Sequence, residues 1–462
     1  MNRNNAAVAF PASRPSQIRF GWADLLGPAA GGTVIAVVGM WLLNQGGASL
    51  ASGEKILGSL GLLTGLLAAD LMLLQVVLMA RIPWIERAWG HDLLARRHRL
   101  MGFASFWFMV AHIALFLAER LSRSGVTAAA VLWALFVADP WMLLASAGTV
   151  LLILVVASSI RAARRRLRYE SWHLLHLYAY LGIGFALPHQ LAMGADFHTT
   201  VAQIYWWTLY LAATAAVLAC RVGLPLWRSL YHGTRVAEVR TESAGAVSVI
   251  VHGRHLERLR TRSGQFFIWR FLDGPGWTRG NPYTLSAPPE PDQMRITIQT
   301  AGDGSARAAT LQPGTRVLFE GPYGTLTTLR RRHAPLALVA GGVGITPIRA
   351  LLEDARYEPG DTVLVYRYSR EEHALFKAEI DEIAARRGVM VHYLPGPRRT
   401  ESSWIPEGAG DDDTDALTAL IPDLATRDLF VCGPPGWITA VRTAALRAGV
   451  LRNQIHTEEF GW

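Results

Sequence analysis

A chain of 462 residues, 51% of them hydrophobic and with a mean hydropathy of +0.22, is too long for one domain and too apolar for an ordinary soluble enzyme. Its net charge of +9 comes largely from arginines in short loops between apolar runs, with no aromatic-basic motif beside them. Such a charge fits anionic lipid headgroups and argues against nucleic acid.

Apolar runs long enough to span a bilayer of about 30 Å occur near 27–45, 56–80, 99–118, 134–160, 172–194 and 198–220. Six membrane helices are therefore expected, in a domain over 1–231. Arg81, Arg87, Arg96, Arg97 and Arg99 separate the second and third runs, and Arg161, Arg164, Arg165, Arg166 and Arg168 separate the fourth and fifth. The alternate loops hold mainly Lys55, Arg120 and Arg123. Basic residues concentrate on cytoplasmic loops, so both termini are expected in the cytoplasm and the protein in the cell membrane. The first twenty residues lack the apolar core of a signal peptide. Cys220 and Cys432 both fall on the reducing side, so no disulfide is expected.

Four histidines stand out in the apolar half. His98 and His112 are 14 residues apart, and His176 and His189 are 13 apart, which at helical rise separates each pair by roughly 20 Å along its helix. The depths match: His98 and His176 begin their helices on the cytoplasmic side, and His112 and His189 lie toward the exterior. Bis-histidine ligation of two stacked haems accounts for this pattern, since imidazole suits haem iron and two axial histidines favour electron transfer. Taken singly, each histidine reads first as an interfacial or helix-packing residue. One feature fits poorly, because 13 residues turn an ideal helix so that His176 and His189 lie about 140° apart. Pro188, just before His189, can distort that helix. His173 gives a worse depth match and is assigned to packing or the haem propionates. Asp70, the acid deep in the second run, is read as a polar helix contact ahead of a proton relay.

From about Arg235 the pattern turns to short strands punctuated by Gly and Pro, as in AVSVIVHG, GQFFIWRFL, MRITIQT and TRVLFEG. A small antiparallel β-barrel is expected over 232–333. Within it, Asn281, Pro282, Tyr283, Thr284, Leu285 and Ser286 supply an aromatic ring and polar groups of the kind a flavin needs. Gly302, Gly304 and Ser305 form a glycine-rich turn entering a helix, where free N–H groups can hold a pyrophosphate. From about Pro335 strands alternate with helices, predicting a doubly wound α/β domain over 334–462. Gly341, Gly342, Gly344, Thr346 and Pro347 form a strand–turn–helix passage open to a dinucleotide phosphate. Cys432, Gly433 and Pro434 end a later strand, with the thiol a candidate neighbour of the nicotinamide or a buried packing group. Gly408 to Asp415 reads as an acidic loop.

In this order the motifs resemble the ferric reductase and NADPH oxidase superfamily, over nearly the whole chain: a six-helix haem domain fused to a ferredoxin-reductase-type flavin and nicotinamide module. The resemblance implies an inner haem b on His98 and His176, an outer one on His112 and His189, FAD on Pro282, Tyr283, Thr284 and Ser286, and a nicotinamide nucleotide on 341–347 and 432–434. It also implies that Trp462 is the terminal aromatic stacking on the flavin. Asn281 stands where many members carry His or Arg, and Thr300 replaces a basic residue, which implies looser FAD binding. The expected activity is transfer of electrons from cytoplasmic NAD(P)H through FAD and two haems to an exterior acceptor. Ferric chelate is placed first, oxygen giving superoxide second, and a quinone or a redox protein third. Arg367, Ser369 and Arg370 favour NADPH, while Glu371 and Glu372 suit the ribose of NADH. A reading of another class is a nucleotide-regulated transporter or sensor that uses the histidines for metal or protons.

Overall fold

The computed structural model describes residues 21–46, 55–124, 127–138, 140–164, 166–167, 169–194, 199–243, 245–274, 277, 279–299 and 303–459. Gly302 and Trp462 lie outside the described residues. The chain divides into two compact units at residues 224 and 225.

The first unit is helical: α1 (Gly21–Trp41), α2 (Ile56–Leu78), α3 (His91–Ser124), α4 (Ala128–Ala138), α5 (Pro140–Ser159), α6 (Tyr169–Met193) and α7 (Thr200–Ala216). Single π-type segments follow α1 and α7, at Leu42–Gly46 and Val217–Gly223. Five helical stretches among the described residues are long and apolar enough to cross a membrane: Leu25–Asn44, Ile56–Leu78, Leu93–Arg123, Pro140–Ser159 and Thr200–His232. The fifth expected span, α6, has the length at 25 residues but is diluted by His173, His176, His189 and Gln190. Two boundaries differ from the apolar runs. The third helix starts at His91 because arginine is a good helix former and Arg96, Arg97 and Arg99 continue it without a break. The fourth run is split, with one helix ending at Ala138 and the next beginning on Pro140, a residue suited to a helix's first turn and not to its interior.

Glycines set the close helix contacts. A Cβ on Gly65 of α2 would lie 2.5 Å from the His112 ring, and one on Gly61 would lie 2.9 Å from Phe116. Between α5 and α6, a Cβ on Gly148 would lie 2.7 Å from the Gly182 carbonyl. Small residues here bring backbones together, as they do generally between membrane helices.

The second unit opens with α8 (Leu224–His232), whose Ser229 hydroxyl meets the Phe319 backbone. Two three-stranded antiparallel sheets follow: β1 (Arg235–Ser243), β2 (Ala246–His252) and β5 (Gln293–Gln299), and β3 (Phe266–Phe271), β4 (Asn281–Thr284) and β6 (Val317–Tyr323). Val249, Val251, Phe267, Trp269, Met294, Ile296 and Phe319 from both sheets bury into one core, and bridges at Arg235–Arg316 and Leu285–Ile296 link the sheets. The alternation of β5, with Met294, Ile296 and Ile298 buried, is the period-2 signature of a strand with one face inward.

A parallel sheet follows in the order β11-β10-β7-β8-β9. It is built from β7 (Leu336–Gly341), β8 (Thr362–Tyr368), β9 (Met390–Pro395), β10 (Asp428–Gly433) and β11 (Ile455–Glu459). Helices α9 (Ile345–Asp354), α10 (Lys377–Arg387), α11 (Asp413–Leu420) and α12 (Pro435–Arg447) flank it. Every residue of β7 and β10 is buried, as expected of strands covered on both faces. The acidic stretch expected as a loop is partly helical: Asp412 caps α11 by accepting from the N–H groups of Thr414 and Asp415.

Candidate functional site

The four membrane histidines meet in two pairs. The His98 and His176 ring centres are 5.9 Å apart, and those of His112 and His189 are 6.5 Å apart. Two imidazoles on opposite sides of one metal atom, each nitrogen about 2 Å from it, have nitrogens about 4 Å apart and ring centres somewhat further. Both spacings match that requirement. The rings of His176 and His189 face the same neighbouring helix although α6 is continuous through Pro188.

Hydrogen bonds fix the ring nitrogens. His112 Nδ1 lies 2.8 Å from the Gly61 carbonyl and His98 Nδ1 lies 3.2 Å from the Gln75 carbonyl, both on α2. A carbonyl only accepts, so each Nδ1 carries the proton and each Nε2 keeps its lone pair. His176 Nδ1 lies 3.3 Å from Ser159 Oγ, which itself lies 2.7 Å from the Val155 carbonyl. The serine proton goes to Val155, and Ser159 then accepts from His176. These partners have the form that orients metal-binding imidazoles elsewhere, so each histidine pair would fit the holding of one haem. Arg97 and Arg164 stack on Trp89 and Trp172, at 4.1 and 4.5 Å, near the His98 and His176 ends of their helices.

In the antiparallel half, β4 carries the flavin motif, with Tyr283 opposite Phe267 and Thr284 opposite Phe266. The Tyr283 carbonyl accepts from Trp269 Nε1 at 3.1 Å, and burial pushes its phenol up to about 12. Thr284 is buried and its hydroxyl has no partner, an unmet need that a polar ligand edge would satisfy. Pro282 and Asn281 are half-buried on the same strand. Two expected contacts turn inward. Leu285 is wholly buried in the core between the two antiparallel sheets. Ser286 accepts from Thr297 at 2.7 Å, its N–H donates to the Arg295 carbonyl, and its own carbonyl accepts from Arg295 and Arg349. Its polar groups are thereby used within the protein. The helix expected after the glycine turn is one turn long, Asp303–Ala306, holding Gly304 and Ser305.

Gly341 ends β7, Gly342 turns with φ +55°, and α9 begins at Ile345 with Thr346 Oγ1 donating to the Val343 carbonyl at 3.0 Å. Gly344 permits the close approach of this turn to β10, since a Cβ there would lie 2.2 Å from the Cys432 carbonyl oxygen. Gly342 opens onto a cleft lined by Gly341, Val343, Arg367, Ser369, Arg398, Pro434 and Trp437, with Gly245 and Gln299 opposite. The fit to a nucleotide phosphate rests on that open glycine and the two arginines. Arg370 instead pairs with Glu372, and Glu371 is held by Tyr368 and Lys377. Pro347 is buried in α9. The Cys432 thiol faces no cleft: the residue is 0% exposed, packs in the sheet core with Phe430 and Ile345, and is pushed well up by burial and by the Glu458 carboxylate. Trp437 was not singled out in the sequence. Its ring lies against Gly341 and Gly433, where an added Cβ would come within 3.0 and 2.8 Å, and its Nε1 donates to the Trp404 carbonyl at 2.8 Å.

Residues 64–187 match the family described as "Ferric reductase like transmembrane component", and residues 338–443 match "Oxidoreductase NAD-binding domain". The chain thus carries, in this order, a segment similar to the ferric-reductase-like transmembrane component and one similar to an oxidoreductase NAD-binding domain. The chain is 30% identical over 239 residues to the ferredoxin reductase component of 3-ketosteroid-9-alpha-monooxygenase from Mycolicibacterium smegmatis, covering 49% of this chain and 64% of that one. It is 31% identical over 168 residues to NADH-cytochrome b5 reductase 1 of Candida glabrata, covering 35% and 58%. The chain thus spans less than two-thirds of these relatives. Among solved structures, the flavohem-like FAD/NAD binding domain of nitric oxide dioxygenase from Vibrio cholerae O1 biovar El Tor is similar at a TM-score of 0.41 and 21% identity, covering 50% of this chain and 99% of that domain. The ferric-reductase-like match spans His98, His112 and His176, and stops two residues before His189.

Proposed function

We propose that this ferric-reductase-like protein passes electrons from cytoplasmic NAD(P)H, by way of FAD and two b-type haems, to an acceptor outside the cytoplasm, with ferric chelates as that acceptor. The observation that carries the proposal is the two facing histidine pairs with Nδ1 of His98, His112 and His176 committed to protein acceptors. Flavin supplies the exchange between two-electron hydride chemistry and the one-electron chemistry of haem. The chain supplies binding and orientation. His98 with His176, and His112 with His189, would hold the haems; Tyr283 and the unpartnered Thr284 hydroxyl would hold FAD; Gly342, Arg367 and Arg398 would hold the nucleotide phosphates. Arg367 and Arg398 in the cleft, with Glu371 and Glu372 engaged elsewhere, favour NADPH over NADH. The cytoplasmic placement follows from the arginines at the His98 end of α3 and around the start of α6.

The test is an anaerobic visible spectrum of detergent-purified, FAD-supplemented protein before and after NADPH, with NADH in parallel. Reduced low-spin b-type bands with either nucleotide support the electron route. Haem that only dithionite reduces refutes the flavin and nucleotide assignments, and colourless protein refutes the histidine assignment in favour of transport or sensing. Aerobic turnover with ferric chelate, with and without superoxide dismutase, then decides the acceptor. Dismutase-sensitive reduction would assign the protein to oxygen reduction instead.

A further inference from the structure

Asp70 lies on the face of α2 opposite the carbonyls that receive the histidines. It is 0% exposed. Nine residues separate it from Gly61 and five from Gln75, so it lies between the two histidine levels, close to mid-helix, and about 140° to 180° around from them. Its surroundings are the apolar cluster of Val37, Trp41, Leu66, Leu73, Ala202 and Trp206 from α1, α2 and α7. Among the described residues it makes no ion pair, and the titratable group facing it is the Tyr205 phenol of α7.

The protons can be counted. Tyr205 Oη lies 2.7 Å from Asp70 Oδ1 and donates its single proton there, its other neighbour being the Thr33 carbonyl at 3.4 Å. Thr33 Oγ1 lies 2.8 Å from the Ala30 carbonyl, which can only accept, and 3.1 Å from Asp70 Oδ2. A hydroxyl has one proton and two acceptor sites. That proton serves only one of the two acceptors; given to the nearer Ala30 carbonyl, it leaves the contact to Asp70 Oδ2 needing a proton supplied by Asp70. A neutral carboxylic acid satisfies both contacts. An ionised one would leave an unpaired charge in an apolar membrane interior with two neutral hydroxyls for solvation, which is far costlier.

We infer that Asp70 is a permanently protonated mid-membrane acid, donating to Thr33 and accepting from Tyr205, that joins α1, α2 and α7 without placing a charge beside the histidine pairs. Helix α2 is thereby held from both sides by hydrogen bonds, with Asp70 at the rear and the Gly61 and Gln75 carbonyls at the front. The protonation state stands on the bundle alone; only its bearing on haem potentials rests on the proposed function.

Asp70→Asn is the isostere of the neutral acid, because its amide can donate to Thr33 and its carbonyl can accept from Tyr205. The full-length protein in detergent, examined by infrared spectroscopy in H2O and D2O at neutral pH, should show a protonated-carboxyl C=O stretch that shifts in D2O and is lost in Asp70→Asn. Thr33→Val, which keeps the volume but removes the acceptor, should move that band to higher frequency. Absence of any band that Asp70→Asn removes overturns the proposal, as does a band indifferent to Thr33→Val. In haem-loaded protein, Asp70→Asn should leave both midpoint potentials unchanged, whereas a rise in either would mean that a negative charge had been removed. Colourless wild-type protein would refute the haem reading, while the infrared arms would still decide the state of Asp70.

Discussion

At His98, His112 and His176 the acceptor of the Nδ1 proton determines which nitrogen is left to bind a metal, and in each case the acceptor is supplied by another helix. The sequence shows the spacing of the histidines and says nothing of these acceptors. Arg398 was likewise invisible as a site residue, because it lies 31 positions after Arg367 and only the fold of the parallel sheet brings both to one cleft. Hydrogen bonds to charged groups are worth about 1.5–3 kcal/mol, so Arg398→Ala is expected to lower kcat/KM for NADPH about 10–100-fold and to change that for NADH little. Equal losses with both nucleotides would remove Arg398 from 2'-phosphate recognition. At Cys432 the strand-end position suggested a thiol near the nicotinamide, yet burial and Glu458 hold it in the protonated form, which is unreactive. In a Cys220→Ser background, maleimide at neutral pH should label no cysteine in the native protein and one after unfolding. Native labelling would show that the thiol opens to solvent.

Among the elements, β10 is tied at both ends. Gly344 permits the α9 turn to pack on its C-terminal end. At its start, Asp428 accepts from the backbone N–H groups of Arg332 and His333 and pairs with His456 of β11 at 3.1 Å. Burial alone would raise the Asp428 carboxyl, but His456 and the two N–H groups outweigh it and hold the group below its ordinary value. A carboxylate with a depressed folded value contributes stability that is present above its unfolded pKa of about 3.9 and lost as pH falls through the folded value. Asp428→Asn should therefore cost about 1.5–3 kcal/mol at neutral pH, with the gap to wild type narrowing below about pH 4. Thermal midpoints of the full-length protein as a function of pH test this, and a gap constant down to the lowest pH would mean that the charge is not what stabilises β10. In this sheet β7, β8 and β10 were legible as buried apolar runs, whereas β9 and β11 were not. Their exposed or half-buried residues give neither strict alternation nor a continuous apolar run, the two patterns that mark a strand.

For the whole molecule, charge asymmetry predicts orientation. Green fluorescent protein fused after Trp462 should fluoresce, and alkaline phosphatase fused there should be inactive but active when inserted at Asp196; the opposite pattern would invert the proposed direction of electron flow. The sequence by itself determined the order of the parts, the apolar stretches and the glycine turns, because hydropathy, charge and turn chemistry act over one element or less. Whether the histidines converge was a different matter. Thirteen residues of ideal helix would set His176 and His189 about 140° apart, and only the placement of α3 beside α6 brings the four rings into two facing pairs. The same holds for Ser286, whose motif suggests a ligand contact but whose hydrogen bonds go to Thr297 and Arg295, and for Asp70, whose two hydroxyl partners come from helices 37 and 135 residues away. Long-range hydrogen bonds and close backbone approaches depend on the positions of separate elements, which no local pattern of residues encodes.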